Sequence, residues 1–209
     1  MAQRTYPNIT TNIPQPYRTA DTFLATSTRG PSPSSQSQFP GPRDESPRPA
    51  PRTARPRQRI GFYDRNQPHY GFTNFSSHQV EYKGKIYPTS EHLFQAFKFM
   101  DTHPELVEHI RTCSPRPRDA LSEARRLKPQ QRPDWFKVNI DMMDEAIYHK
   151  FTQHKELRDE LLATGNAELV EDSPVDAFWG IGKDGRGRNE LGKALGRLRD
   201  RLRRRTTLD

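Results

Sequence analysis

From residue 60 onward the apolar positions fall into short runs, and the change in their spacing from two to three or four marks the elements. Residues 60–63 read as a first strand, and residues 80–87 as a hairpin turning at Lys83-Gly84, with Tyr82 and Ile86 as strand-favouring residues. Helical spacing then takes over. One helix starts at Ser90, whose hydroxyl is a good N-cap with Thr89 as runner-up; Leu93, Phe97 and Met100 share a side, flanked by Phe94 and Ala96. A second starts near Pro104, favourable at a first helical position, and turns Leu106, Val107 and Ile110 inward. A third covers roughly residues 118–127. A long one starts at Asp134 or Lys137, ends at Phe151, and carries Met142, Met143, Ala146 and Ile147 as its apolar positions. Residues 156–163 form another, stopped by Gly165 as a left-handed cap. The last places Leu191, Leu195, Leu198 and Leu202 at i, i+4, i+7 and i+11, a core stripe. A small sheet near the start of the domain followed by several helices is an α+β fold, predominantly helical.

Composition changes this picture only before residue 60. Residues 1–59 hold 11 of the 19 prolines and few large aliphatics, too little apolar surface to offset the entropy of ordering them, so a disordered tail is expected. The domain then occupies residues 60–203, with a basic tail at 204–209. The formal net charge of +8 divides in the same way. The first 59 residues carry nine Arg and three acids, +6, and the remainder carries 25 basic and 23 acidic residues, +2. A nearly neutral domain is a poor duplex-binding surface. The basic runs at 48–59 and 197–205 read as solvated tails. No apolar run is long enough to span a membrane, and none resembles a signal peptide. The single Cys113 excludes an intrachain disulfide and suits a reducing compartment, so an intracellular setting, cytoplasmic or nuclear, is expected. The seven histidines show no metal-ligand spacing, and neither metal nor cofactor is expected.

Candidate chemistry begins on the first helix. Glu91, Gln95 and Lys98 fall at i, i+4 and i+7, an acid, an amide and an amine on one stripe. Such a stripe is either the solvated face of an amphipathic helix or the wall of a site. The glycine-rich run 180–192 is neither a Rossmann fingerprint nor a Walker loop. Asn189 is placed to cap the final helix, and a loop of this kind can aim amides and a positive helix end at a phosphate, with Gly180, Gly182, Asp184, Gly185 and Asn189 as the contacts. Trp135 and Trp179 are core filling or stacking surfaces for a flat heterocycle. Tyr70, Asn74 and Phe75 sit in a loop between strands, where such residues contact ligands or simply make the turn.

These blocks resemble, in order, the NADAR family of YbiA-like N-glycosidases. The resemblance rests on Tyr87-Pro88-Thr89-Ser90-Glu91-His92 leading into Phe94-Gln95-Ala96-Phe97-Lys98-Phe99. Phe62-Tyr63 and Tyr70-Gly71-Phe72-Thr73-Asn74-Phe75 precede it; Arg132-Pro133-Asp134-Trp135, Lys150-Phe151, Leu161-Leu162-Ala163-Thr164-Gly165 and Asp176-Ala177-Phe178-Trp179-Gly180 follow it. It departs at Tyr87, often Trp, and at Ile181, where an acid is common. It implies the NADAR fold and a hydrolase that cleaves an N-glycosidic bond of a ribose phosphate or ADP-ribose conjugate. The substrates implied are ribosylamino-pyrimidine phosphates of riboflavin synthesis, or ADP-ribosylated guanine, with nucleic acid then a modified substrate. A non-catalytic ADP-ribose-binding module is the alternative, and it would have no use for the Glu91 stripe.

The resemblance assigns catalysis to Glu91, Lys98 and Asp176. Glu91 is a carboxylate, which its place near a helix N-terminus should keep ionised. Lys98 is implied to form a ribosyl-lysine Schiff base, for which its amine must be neutral and its pKa lowered. Lys150 is the rival lysine, and direct attack by water stays open. Asp176 would hold a hydroxyl or activate water.

Overall fold

The first strand, β1 (Arg59–Phe62), has its partner at the far end of the domain. It pairs in parallel with β4 (Glu168–Glu171), from Arg59 opposite Glu168 to Phe62 opposite Glu171. The structure, a computed structural model, describes residues 58–206; the rest of the expected tail lies outside the described residues. The hairpin forms as expected, with β2 (Val80–Tyr82) antiparallel to β3 (Lys85–Tyr87). Lys83 at φ 50° and Gly84 at φ 73° make the two-residue turn whose twist matches its strands.

Six α-helices follow among the described residues: α1 (Ser90–Ala96), α2 (Pro104–Thr112), α3 (Pro117–Arg126), α4 (Trp135–Gln153), α5 (Lys155–Ala163) and α6 (Glu190–Thr206). The fold is α+β and predominantly helical, as the pattern predicts. None of these helices is long and apolar enough to cross a membrane. Helix α6 runs three residues past the expected domain end at 203.

Helix α1 is the centre of the domain. It packs against α2, α3, α4 and the hairpin, and every one of its residues is buried. The solvated-face reading of its polar stripe is therefore wrong. Thr89, not Ser90, caps it: Thr89 Oγ1 accepts the His92 N–H at 3.4 Å, and Ser90 is the first helical residue. His92 is structural, its Nδ1 2.9 Å from Thr89 Oγ1 and its Nε2 2.9 Å from the Ser114 carbonyl.

Helix α6 lies hard against β4. A Cβ at Gly192 would overlap the Leu169 carbonyl oxygen and the Asn189 side chain. Gly192→Ala should therefore destabilise the domain by about 1–3 kcal/mol despite alanine's better helix propensity, read as a lower urea midpoint at unchanged m.

Candidate active site

Burial of α1 brings its polar stripe into the interior. Glu91 is 6% exposed and Gln95 2%. Gln95 Nε2 donates to Glu91 Oε1 at 2.7 Å, while Gln95 Oε1 has no partner. Two features fix Glu91 at the first turn: the Asn74 carbonyl accepts its N–H at 3.2 Å, and Asn74 Oδ1 accepts the neighbouring Ser90 hydroxyl at 3.1 Å. Burial raises the Glu91 pKa to about 7, with Asp176 adding to the rise and Gln95, Lys98 and Arg125 opposing it. Whatever help the helix start gives the carboxylate, desolvation outweighs it here.

Lys98 lies in the tight turn after α1, its N–H bonded to the Gln95 carbonyl at 3.3 Å, and is only partly buried. Its own carbonyl accepts the Arg132 N–H at 2.9 Å, which ties this turn to the approach to Trp135. The Lys98 ammonium stands 5.4 Å from the centroid of the Trp135 ring. Burial lowers its pKa to about 8; Glu91 opposes that fall, and the cations of Arg125 and Lys128 assist it. The basic end of α3 thus has an electrostatic role that its sequence did not show.

Aromatic rings complete the wall. Phe94 sits between the two tryptophans, 5.2 Å from each ring centroid, and Trp179 in turn meets Phe178 edge-on at 4.9 Å. Arg188 stacks on Phe178 at 4.6 Å. Trp179 is positioned by Asp176, whose Oδ1 accepts the N–H groups of Phe178 and Trp179, each at 2.8 Å. Glu91, Gln95, Lys98, Trp135, Asp176 and Trp179 therefore form one cluster, joined by these contacts and by the charge couplings of Glu91 to Lys98 and Asp176.

Other candidates stand apart. Asn74 spends its side chain on Ser90 and on Met143 Sδ at 3.0 Å, so it braces α1. The Tyr70 hydroxyl donates to the Phe75 carbonyl at 3.2 Å, a bond within their own loop. Lys150 is sealed, with no exposed surface. Its Nζ donates to the carbonyls of Gly71 and Thr73 at 2.6 and 2.7 Å and lies 2.6 Å from Ser76 Oγ. Burial lowers the Lys150 pKa to about 7.

The glycine run differs most from expectation. The amides of Gly187, Arg188, Asn189, Glu190 and Leu191 donate to the carbonyls of Ile181, Ala177, Gly180, Phe178 and Trp179. The start of α6 is thus knitted into the loop and does not aim these amides at a phosphate. Asn189, at φ 52°, clamps β4: its Oδ1 accepts the Glu171 N–H at 3.0 Å and its Nδ2 donates to the Leu169 carbonyl at 2.8 Å. Gly180 and Gly182 permit close backbone approach, a Cβ at Gly180 falling 2.7 Å from the Glu171 oxygen. Asp184 and Gly185 form an exposed turn in which Asp184 Oδ1 accepts the Arg186 N–H at 3.1 Å.

Sequence reasoning missed Glu171 and the bridging role of Phe94. Glu171 ends β4, feels the charges of Asp176 and Glu91, and keeps a buried Oε2 without a partner. The signal was available in Leu169-Val170-Glu171, an apolar pair ending in an acid five residues before Asp176.

A family model described as the NADAR domain matches residues 61–203. The chain belongs to the NADAR family. Among its relatives, "N-glycosidase YbiA" of Escherichia coli (strain K12) is 43% identical over 143 residues, covering 68% of this chain and 88% of the relative. "Riboflavin biosynthesis protein VVA0006" of Vibrio vulnificus is 39% identical over 145 residues, covering 69% of this chain and 39% of that protein. The NMR structure of the E. coli protein YbiA superposes with a TM-score of 0.66 at 39% identity, covering 72% of this chain and 88% of that one. The NADAR fold and the resemblance read from the motifs are thus borne out.

Proposed function

We propose that this NADAR protein is an N-glycosidase: a hydrolase that breaks the C1–N bond between a ribose phosphate and an amine or nucleobase. One observation carries the proposal. On the helix at the centre of the fold a buried carboxyl, Glu91, is electrostatically coupled to Lys98 in the turn that follows. Lys98 stands 5.4 Å from the Trp135 ring centroid, and burial pushes both groups toward neutral pKa values. Buried acids and amines cost stability, and a binding-only module would have no use for them. The N-glycosidase names of relatives such as that in Nostoc punctiforme, 38% identical over 144 residues, support the same reading.

On this reading neutral Lys98 attacks C1 of the opened ribose, where C1 is doubly bonded to the departing nitrogen. Glu91 takes up the proton that the attacking amine loses. The C1–N bond to the base then breaks as that nitrogen gains a proton, leaving a Schiff base on Lys98. Water adds to the imine, the sugar aldehyde leaves, and the free amine returns. Trp179, partly exposed, offers a face for a planar ring, while Trp135 is buried core that backs Lys98. Arg125 and Lys128, both exposed and electrostatically coupled to Lys98, are suited to the substrate phosphate.

The single Cys113 suits a reducing, intracellular setting, cytoplasmic or nuclear. The riboflavin names among the relatives favour a ribosylamino-pyrimidine phosphate as substrate. The test is release of the base from that compound, from its dephosphorylated form, and from DNA carrying ADP-ribosylated guanine. Turnover of the first, with a higher KM once the phosphate is removed, is expected. Turnover of the DNA alone would replace the small substrate with the modified base; turnover of none would refute the N-glycosidase reading.

A further inference from the structure

The mechanism above leaves the proton for the departing nitrogen without a source, and β4 ends on an acid with no assigned task. Glu171 is held from three sides through its backbone. Its N–H donates to Asn189 Oδ1 at 3.0 Å, its carbonyl accepts the Ile181 N–H at 3.0 Å, and Gly180 lets the Glu171 and Asp176 main chains converge. At Gly180 a Cβ would stand 2.7 Å from the Glu171 carbonyl oxygen and 2.9 Å from that of Asp176. The Glu171 backbone is thus fixed beside that of Asp176, its carboxyl is electrostatically coupled to the Asp176 side chain, and Asp176 itself holds the Trp179 wall.

The two glutamates of this cluster, Glu91 buried and Glu171 partly so, differ in what surrounds them. Glu91 has a donor, Gln95, and a cation, Lys98, and both favour its carboxylate. Glu171 has neither: its Oε2 is buried without a partner, and the charged groups acting on it are the carboxylates of Asp176 and Glu91. A buried carboxyl faced by two like charges is held as the neutral acid. Two carboxyls in one site, one with a donor and a cation beside it and one with neither, are suited to divide the base and acid roles.

We propose that Glu171 is a further catalytic residue of this site, the general acid that gives its proton to the nitrogen leaving C1. The proposal rests on the N-glycosidase reading. The O–H bond of Glu171 breaks as the N–H bond of the leaving group forms; once the product has gone the resulting carboxylate is reprotonated from solvent, and Glu91 returns to solvent the proton it took from the Lys98 amine. Its position at the end of a strand, rather than on a loop, fixes it in relation to Asp176 and Trp179.

The test is the pH profile of kcat/KM on ribosylamino-pyrimidine phosphate for wild type, Glu171→Gln and Glu171→Asp, with melting temperature followed over the same range. Burial and the two neighbouring carboxylates raise the Glu171 pKa to about 8, so wild-type activity should fall above about pH 8 as the acid is lost. Glu171→Gln should be at least ~10²-fold slower and lack that alkaline fall, whereas Glu171→Asp should be slower but retain it. Stability gives an independent reading. A carboxyl whose pKa is raised on folding favours the folded state most below its ordinary value of 4.5, and that advantage is lost as pH rises through about 8. Glu171→Gln should therefore melt above wild type beyond pH 8. Unchanged activity in Glu171→Gln, or uniform slowing with the alkaline fall intact, overturns the proposal. Failure of wild type to turn over the substrate refutes the N-glycosidase reading instead.

Discussion

Lys98→Ala should lower kcat at least ~10³-fold, because removing a nucleophile removes the covalent path itself rather than one stabilising contact. The loss should fall on kcat more than on KM, since the aromatic wall of Phe94, Trp135 and Trp179 is formed by other residues. Lys98→Arg should not restore activity: a guanidinium keeps its charge at every accessible pH and cannot act as the amine. The pH dependence follows in sign from the lowered pKa. Wild-type imine formation should rise toward about pH 8 as the ammonium loses its proton, where an ordinary surface lysine would wait until about 10.5, and fall above it as the Glu171 acid is lost. Folding should survive, because Lys98 is partly exposed and sits in the turn that follows α1. Stopped assays with circular dichroism on the same samples separate the two effects. Retention of more than a tenth of wild-type kcat in folded Lys98→Ala would transfer the attack to water.

Lys150→Met should have the opposite profile, a large loss of stability with the chemistry intact. Lys150 faces three oxygens at 2.6–2.7 Å that tie α4 to the segment from Gly71 to Ser76. Methionine fills comparable volume but leaves the Gly71 and Thr73 carbonyls buried without this donor. Ser76 still reaches both carbonyls, so the cost is that of the lost charged-donor bonds, about 1.5–3 kcal/mol each, and a loss of about 3 kcal/mol is expected, read from the urea midpoint. Asn74, which positions Glu91, lies within that same segment, so a modest rise in KM is expected too. A lysine with no exposed surface cannot meet a substrate; abolished imine trapping in folded Lys150→Met would contradict this division of roles.

Much of this molecule was legible because local chemistry decided it. The hairpin follows from Lys83-Gly84, and the end of α5 from Gly165 at φ 60°, both of which demand left-handed backbone. The leucine stripe of α6 follows from its period. What stayed hidden depends on partners distant in sequence. Strand β4 is four residues long and is specified by pairing with β1 more than a hundred residues earlier, a relation no local window contains. Spacing placed Glu91, Gln95 and Lys98 on one stripe but could not say whether it faced water; only the packing of α2, α3 and α4 around α1 decides that. Asn189 shows the limit from the other side. Its identity suggested a helix cap, and its main chain does begin α6, the Lys193 N–H donating to its carbonyl at 3.1 Å. Its side chain instead fastens the loop to β4, because the edge of a two-stranded sheet leaves backbone groups that need partners.

The most direct test of the central claim is to mix the full-length protein with ribosylamino-pyrimidine phosphate, add borohydride during turnover, and map the modified peptide by mass spectrometry. The account predicts a reduced ribose phosphate adduct on Lys98, formed in wild type and absent from Lys98→Ala. Rapid turnover with no adduct, or an adduct on another lysine, would contradict it.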